Sequence, residues 1–394
     1  MISEAMLKLG TTRSCIRELF EYGNQQAAIV GRENVYDYSL GNPSIPAPAQ
    51  VKASINAILD EVNSLSIHGY TSAPGALDAR KAVADDLNAR FDTSIRPENI
   101  FLSCGAAPAL ISVIRALAVE DAEILAIAPF FPEYRPFVEN NGCKFVVVPA
   151  DTQQFQIRMD KLEESINSHT QAVIVNSPNN PSGVVYTKET LVSLANVLTR
   201  KAKEFGHPIY IIADEPYREL AYDGVEVSFI PSIYPDTVIC YSWSKSLSLP
   251  GERIGYVCVP DQVTDSAQLF AAVCGAARII GHVCAPSLQQ LTVARCVSLR
   301  PDVEAYDRNR KTLYDALTSY GYECAKPKGA FYMFVKAPGG NAQAFSDRAK
   351  EKNLLIVPGG DFGCPDFFRI STCVDHGMIL RSLPVFEELI KTQV

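Results

Sequence analysis

Near-continuous apolar, β-branched runs alternate with amphipathic stretches through the middle of the chain. The apolar segments are NIFLSC (99–104), ILAIAPF (124–130), KFVVVPA (144–150), QAVIVNSP (171–178), PIYIIADEP (208–216), TVICYSWS (237–244) and IGYVCVP (254–260). Runs of this length with no polar alternation read as strands buried on both faces. Between them APALISVIRALA (107–118) and TKETLVSLANVLTRKAKEF (187–205) repeat with helical period. Strands alternating with helices predict an α/β fold with a doubly wound, mostly parallel sheet. The rest of the chain changes character. One long helical region (262–299) is followed by a helix pattern (301–320), AFYMFV (330–335) and FFRIST (367–372) as strands, and AQAFSDRAKEK (342–352) as a helix between them. This predicts a smaller α+β unit. PSIPAPAQ (43–50) is the most linker-like stretch, so the expected division is a large domain of residues 50–290 and a small domain made of 1–49 together with 291–394.

A length of 394 residues agrees with two domains. The net charge of −8, from 36 basic and 44 acidic residues, argues against a nucleic-acid partner, which needs a basic face. The opening segment MISEAMLKLGTTRSC has no basic-then-apolar run with a small-residue cleavage site, and no apolar stretch approaches the ~20 residues that span a bilayer. A cytoplasmic location without membrane attachment is expected. The eleven cysteines are scattered and never spaced CxxC, and the five histidines fit no HExxH pattern, so reduced thiols and no metal site are expected.

In an open parallel sheet, ligands sit outside the carboxyl ends of the strands. The first such end gives way to Gly105, Ala106, Ala107 and a helix, where free N–H groups can meet a phosphate; alone, such a turn is mostly structural. The next, APFFPEY, offers Phe131 and Tyr134 as aromatic faces for a flat ring or as core filler. NSPNNPSG holds the amides of Asn179 and Asn180 between prolines, suited to a ligand oxygen or to a turn. Asp214 ends a wholly apolar run, where a carboxylate is costly without a cationic partner, and Tyr217 follows it. TVICYSWS then delivers Ser242, Ser244 and Lys245, with Arg253 in the same segment: an anion site with a nucleophile in it. The set asks for a cofactor with a phosphate, a flat ring, a ring nitrogen and a carbonyl that traps an amine, and pyridoxal 5′-phosphate (PLP) has all four.

The ordered series LGNPSIPAP, GYTSAPG, SCGAAPAL, APFFPEY, NSPNNPSG, ADEPY, SWSKSLSLPGERIGY and FFRIS resembles the class I and II aminotransferases of PLP fold type I, the aspartate aminotransferase-like enzymes, from about Tyr36 to Thr372. The resemblance implies a seven-stranded sheet and a homodimer with shared active sites. It implies that Lys245 forms the Schiff base and moves the proton, that Asp214 pairs with the pyridine nitrogen, and that Tyr217 and Asn180 bond the ring hydroxyl. Phe131 matches the stacking aromatic; Gly105, Ala106, Ala107, Ser242, Ser244 and Arg253 match the phosphate cup. Tyr70 is similar to a tyrosine that reaches the partner's phosphate, and Arg369, with Gly41 and Asn180, matches the grip on the substrate carboxylate. Ala106 and Ala107 stand where some relatives carry hydroxyls, so backbone N–H groups must serve there.

The implied activity is transfer of an L-amino acid's amino group to a 2-oxo acid, ping-pong through a pyridoxamine phosphate form. Burial and nearby cations are expected to depress the pKa of Lys245 so that a free amine is present. A β-lyase or decarboxylase on the same fold shares every cofactor residue. A non-catalytic PLP-binding regulator fits less well, because residues 1–35 show no basic helix-turn-helix pattern. Arg278 stands before Pro286 where a partner arginine selects acidic substrates in relatives; the alternative is an exposed Arg278 and a neutral or aromatic substrate lodged against Phe130 and Tyr134.

Overall fold

A computed structural model describes residues 2–11 and 14–392. Its twelve strands are β1 (Tyr36–Asp37), β2 (Ile100–Ser103), β3 (Glu123–Ile127), β4 (Lys144–Val148), β5 (Thr170–Asn176), β6 (Tyr210–Asp214), β7 (Thr237–Ser242), β8 (Gly255–Cys258), β9 (Tyr332–Lys336), β10 (Leu354–Leu355), β11 (Val357–Pro358) and β12 (Phe367–Ser371). Seven of them form one sheet in the order β2-β8-β7-β6-β5-β3-β4. Only β8 runs against its neighbours, pairing antiparallel with β2 and β7, while the other pairs are parallel. The seven apolar runs of the sequence are these seven strands, and the sheet is helix-covered on both faces as their continuous hydrophobicity requires.

Alternation along the central strands decides which face each residue serves. Ala172 and Ile174 of β5, Tyr210 and Ile212 of β6, and Val238 and Cys240 of β7 join one core with Ala109, Leu110 and Val113 of the helix Ala106–Ala116. Val173, Val175, Ile211 and Ala213 join the opposite core with Leu191, Leu194 and Leu198 of the helix Lys188–Phe205. With a period of two, the last residues of β5, β6 and β7 (Asn176, Asp214 and Ser242) share the face of the helix Ala106–Ala116.

Two smaller sheets lie in the remaining chain: β11-β12-β9, antiparallel throughout, and the parallel pair β1–β10, which ties Tyr36–Asp37 to Leu354–Leu355. Tyr38, Leu354, Ile356, Phe368 and Phe386 bury together beneath the helices Val303–Tyr320 and His376–Lys391. The helical region 262–299 is not continuous. It breaks into Ser266–Ile279 and Ser287–Cys296, with Gly281 at φ +94° ending the first and Pro286 capping the second. Periodicity also missed the helices Cys15–Val30, Ala49–Glu61 and His376–Lys391, the last with Pro384 inside it. The helix Ser287–Cys296 packs on Ala49–Glu61 and Leu77–Phe91.

Candidate active site

The carboxyl ends of β5, β6 and β7 open beside the N-terminus of the helix Ala106–Ala116. Asn176 and Asp214 are register partners there. The Asn176 amide donates to the Asp214 backbone carbonyl at 2.8 Å, and its Oδ1 accepts the Asn180 N–H at 2.7 Å. The Asp214 side chain is almost wholly buried; the Tyr134 hydroxyl donates to its Oδ2, and its Oδ1 has no partner. Burial pushes this carboxyl up to about 7, the Tyr134 hydrogen bond pulls it back, and the neighbouring Glu215 charge adds to the rise.

Lys245 lies in the short helix Trp243–Ser246 that follows β7, and its Nζ donates to the Gly41 carbonyl at 2.7 Å. Burial depresses its pKa to about 8, with Arg369 and Arg253 acting in the same direction and Cys373 against it. This agrees in direction with the expected depression, which makes a free-amine fraction accessible near neutral pH, with burial as the leading cause. Gly105 turns the chain from β2 into the helix Ala106–Ala116 at φ +95°, leaving the first-turn N–H groups without intrahelical partners. A Cβ on Gly105 would stand 2.7 Å from Arg253 Nη2, so glycine lets the guanidinium close over this helix end. Arg253 is itself left-handed at φ +53° and donates to the Pro250 carbonyl at 2.7 Å.

Arg369, central in β12, is buried with no carboxylate beside it. Its Nη1 donates to Asn180 Oδ1 at 3.1 Å and its Nη2 to the Ser39 carbonyl at 2.5 Å, while Nε has no partner. Its guanidinium stacks 4.7 Å from the Tyr332 ring centroid. The Tyr217 and Tyr332 hydroxyls meet at 3.1 Å, and a Cβ on Gly41 would fall 1.8 Å from Tyr332 Oη, so only glycine fits there. These groups line one cavity of about 320 Å³, which holds Gly41, Ala106, Ala107, Phe131, Asn180, Asp214, Tyr217, Ser242, Ser244, Lys245, Arg253 and Arg369. Three cations face one carboxylate, a surplus that suits a ligand carrying phosphate and carboxylate.

A family model for class I and II aminotransferases matches residues 32–383. The chain belongs to the class I and II aminotransferases. It is similar to aromatic-amino-acid aminotransferase 2 of Thermococcus litoralis, at 27% identity with 95% of each chain covered, and to the aspartate aminotransferase of Pyrococcus abyssi, again at 27% and 95% of each. Among solved structures, an amino transferase from Eubacterium rectale is 54% identical with a TM-score of 0.98, covering 100% of this chain and 99% of that one. The aspartate aminotransferase of Thermotoga maritima is 26% identical with a TM-score of 0.87, covering 99% of this chain and 100% of that one. This aminotransferase is a PLP-dependent enzyme of fold type I that transfers an amino group from an amino acid to a 2-oxo acid.

The cavity of this aminotransferase fits its family's cofactor. The unpartnered Asp214 Oδ1 can accept a ring N–H, the free helix N-terminus beside Arg253, Ser242 and Ser244 can hold a phosphate, and the Lys245 amine can meet an aldehyde. Several residues singled out in the sequence stand outside the cavity. Gly105 acts one residue back, as the turn. Tyr70 is 89% exposed and Arg278 is exposed in the last turn of Ser266–Ile279. Phe130 is turned into the core, edge-on to Phe145 at 5.2 Å, so it offers no wall to a substrate. Asn179 serves the loop: its Oδ1 accepts the backbone N–H and hydroxyl of Ser182 at 3.0 and 2.7 Å. Tyr134 bonds Asp214 rather than facing a ring. Sequence reasoning missed Asn176, Tyr332 and Ile16 in the cavity wall. Asn176 carried a signal, as the polar residue ending β5 in the parity of Asp214; Tyr332 and Ile16 carried none, since they arrive from other elements.

Proposed function

We propose that Lys245 is the residue that would hold PLP covalently and whose free amine would move the proton at the substrate Cα. When bound, PLP supplies an aldehyde that condenses with amines and a protonated ring that withdraws electrons from Cα. Asp214 would keep the ring nitrogen protonated; Tyr134 holds its carboxylate in place and Asn176 its backbone carbonyl. Tyr217 and Asn180 bond the ring hydroxyl and Phe131 covers the ring face. The N–H groups of Ala106 and Ala107, presented by Gly105, act with Ser242, Ser244 and Arg253 on the phosphate. Arg369 grips the substrate α-carboxylate beside Gly41 and Asn180, fixing the Cα–H bond across the ring plane. The observation that carries this reading is one cavity containing a depressed lysine, a carboxylate with an unpartnered oxygen and a buried arginine with no acid. Lys245→Ala is expected to remove the near-visible absorbance of the bound cofactor and abolish turnover; retention of both would overturn the assignment.

The reading extends to substrate, assembly and location. Ile16, Leu40 and Leu110 line the cavity, which supports a neutral or aromatic amino acid. In kcat/KM for aspartate, glutamate, phenylalanine and alanine, phenylalanine is expected to lead and Arg278→Ala to change nothing. Loss of activity towards the two dicarboxylic substrates in Arg278→Ala would instead assign Arg278 to an acidic side chain. The large domain spans residues 50–290 and the small domain 1–49 with 291–394. The functional unit is a homodimer in which Tyr70 reaches the partner's phosphate; its 89% exposure leaves the hydroxyl free to do so. A cytoplasmic location is supported by eleven free thiols. Among the described residues no helix is long and apolar enough to cross a membrane.

A further inference from the structure

Directly behind Asp214 lies a second buried carboxylate that the reaction does not use. Glu215 is 2% exposed, adjacent in sequence, and its like charge acts on Asp214. Its counter-ion is Arg218, one turn on and 5% exposed, whose Nε donates to Glu215 Oε2 at 2.5 Å and whose Nη1 donates to the Tyr256 hydroxyl at 3.1 Å. The guanidinium lies 4.9 Å from the Tyr241 ring centroid and 5.6 Å from that of Phe91. Beyond it the charges keep alternating. Glu219 accepts from Arg90 Nη1 at 2.9 Å and from the Tyr241 hydroxyl at 2.9 Å; Asp86 joins Arg90 at 3.3 Å and Arg300 at 3.0 Å. Three acids (Glu215, Glu219, Asp86) are matched by three arginines (Arg218, Arg90, Arg300), so this chain of pairs from the cavity floor to the surface is neutral. Asp214 stands at its inner end with no cation of its own.

We propose that Arg218 is a positioning residue for the cofactor: by neutralising Glu215 it leaves Asp214 the one uncompensated carboxylate at the cavity floor, free to take the ring N–H. A buried carboxylate stripped of its counter-ion must hold a proton or impose its charge on its neighbour. Either way the Asp214–Glu215 pair keeps a proton to higher pH, and a protonated Asp214 cannot accept from a pyridinium. The other ionisable groups facing the pair are Tyr134 from the segment after β3, Tyr217 from its own turn, Cys240 from β7, and Tyr256 and Cys258 from β8. Burial raises the pKa of each of these tyrosines and thiols, so near neutral pH they stay uncharged and leave the titration to the carboxylates.

The inference rests on the assignment of Asp214 to the ring nitrogen, and the test separates the two. PLP dissociation constants are measured on the full-length protein stripped of cofactor, as a function of pH, with unfolding midpoints as the check on folding. In the wild type, binding weakens as pH falls, first as Lys245 takes up its proton at about 8 and then in a lower limb at about 7, where Asp214 takes up its own. Arg218→Met should move that limb up by about one unit, weakening PLP binding near neutral pH by about tenfold. Glu215→Gln, which removes the like charge and keeps the cation, should move it down, and the double variant should return it towards the wild type. A role confined to packing lowers the unfolding midpoint but cannot move the limb in opposite directions in the two single variants. No shift, or shifts of the same sign, overturns the proposal. If Asp214→Asn retains the limb, the assignment of Asp214 is what fails; if Asp214→Asn loses it while the Arg218 and Glu215 variants leave it unmoved, the role of Arg218 alone fails.

Discussion

At the scale of single residues, the site is a set of groups held away from their ordinary ionisation, with burial as the main cause. Asp214 is the clearest case. Its carboxyl titrates near 3.8 when unfolded and at about 7 in the folded, cofactor-free protein. Between those values the folded state keeps a proton that the unfolded state has released. Stability from this group is therefore fully present below the lower value and lost as pH rises through the upper one, by on the order of a few kcal/mol. Chemical denaturation of the cofactor-free protein on either side of that window should show the wild type losing stability with rising pH that Asp214→Asn does not lose; parallel profiles would contradict the assigned shift. The same variant in the loaded enzyme should bind PLP yet turn over orders of magnitude more slowly, because a neutral amide does not hold the ring nitrogen protonated. Activity within a few-fold of the wild type would make Asp214 structural.

At the scale of elements, strand parity and glycine geometry do the positioning. Asn176, Asp214 and Ser242 share one face because they end parallel, in-register strands whose preceding residues alternate between two cores. Gly105 then turns β2 into the helix Ala106–Ala116, at a backbone angle that L side chains rarely adopt and with Arg253 against its missing side chain. Gly105→Ala should keep the sheet intact but weaken PLP binding by about tenfold or more, from backbone strain and the displaced guanidinium. Equilibrium dialysis against PLP checks this, and unchanged affinity would remove Gly105 from the phosphate site. The strands of the large sheet were legible because burial on both faces leaves an unmistakable apolar run. The break at 280–286 was not: Gly281 turns the chain after Ser266–Ile279 and Pro286 caps Ser287–Cys296, whose weak amphipathic pattern gives no separate signal of its own.

At the scale of the whole molecule, the exposed apolar residues Leu65, Tyr70, Leu77, Ile279 and Val283 are the expected cover for a second copy. Sedimentation should give about twice the 43.1 kDa chain mass at micromolar concentration. Mixing Lys245→Ala with Tyr70→Phe chains should yield hybrids with one site intact on both counts, regaining activity that neither variant has alone. A fully active monomer would contradict the shared site. By itself the sequence marked the charged residues that line the cavity. Asp214 and Lys245 were legible because charge at the end of an apolar run is costly and therefore conspicuous, and Arg253 and Arg369 because their order along the chain matches a known family. Only the tertiary structure decided which aromatic does what. Phe130, Phe131 and Tyr134 are near-equivalent as letters, yet one fills the core, one lines the cavity and one bonds Asp214. It also decided that Tyr332 and Ile16 reach the cavity and that Glu215 is answered by Arg218. These depend on how separate elements pack in three dimensions, and local periodicity carries no record of packing between distant segments.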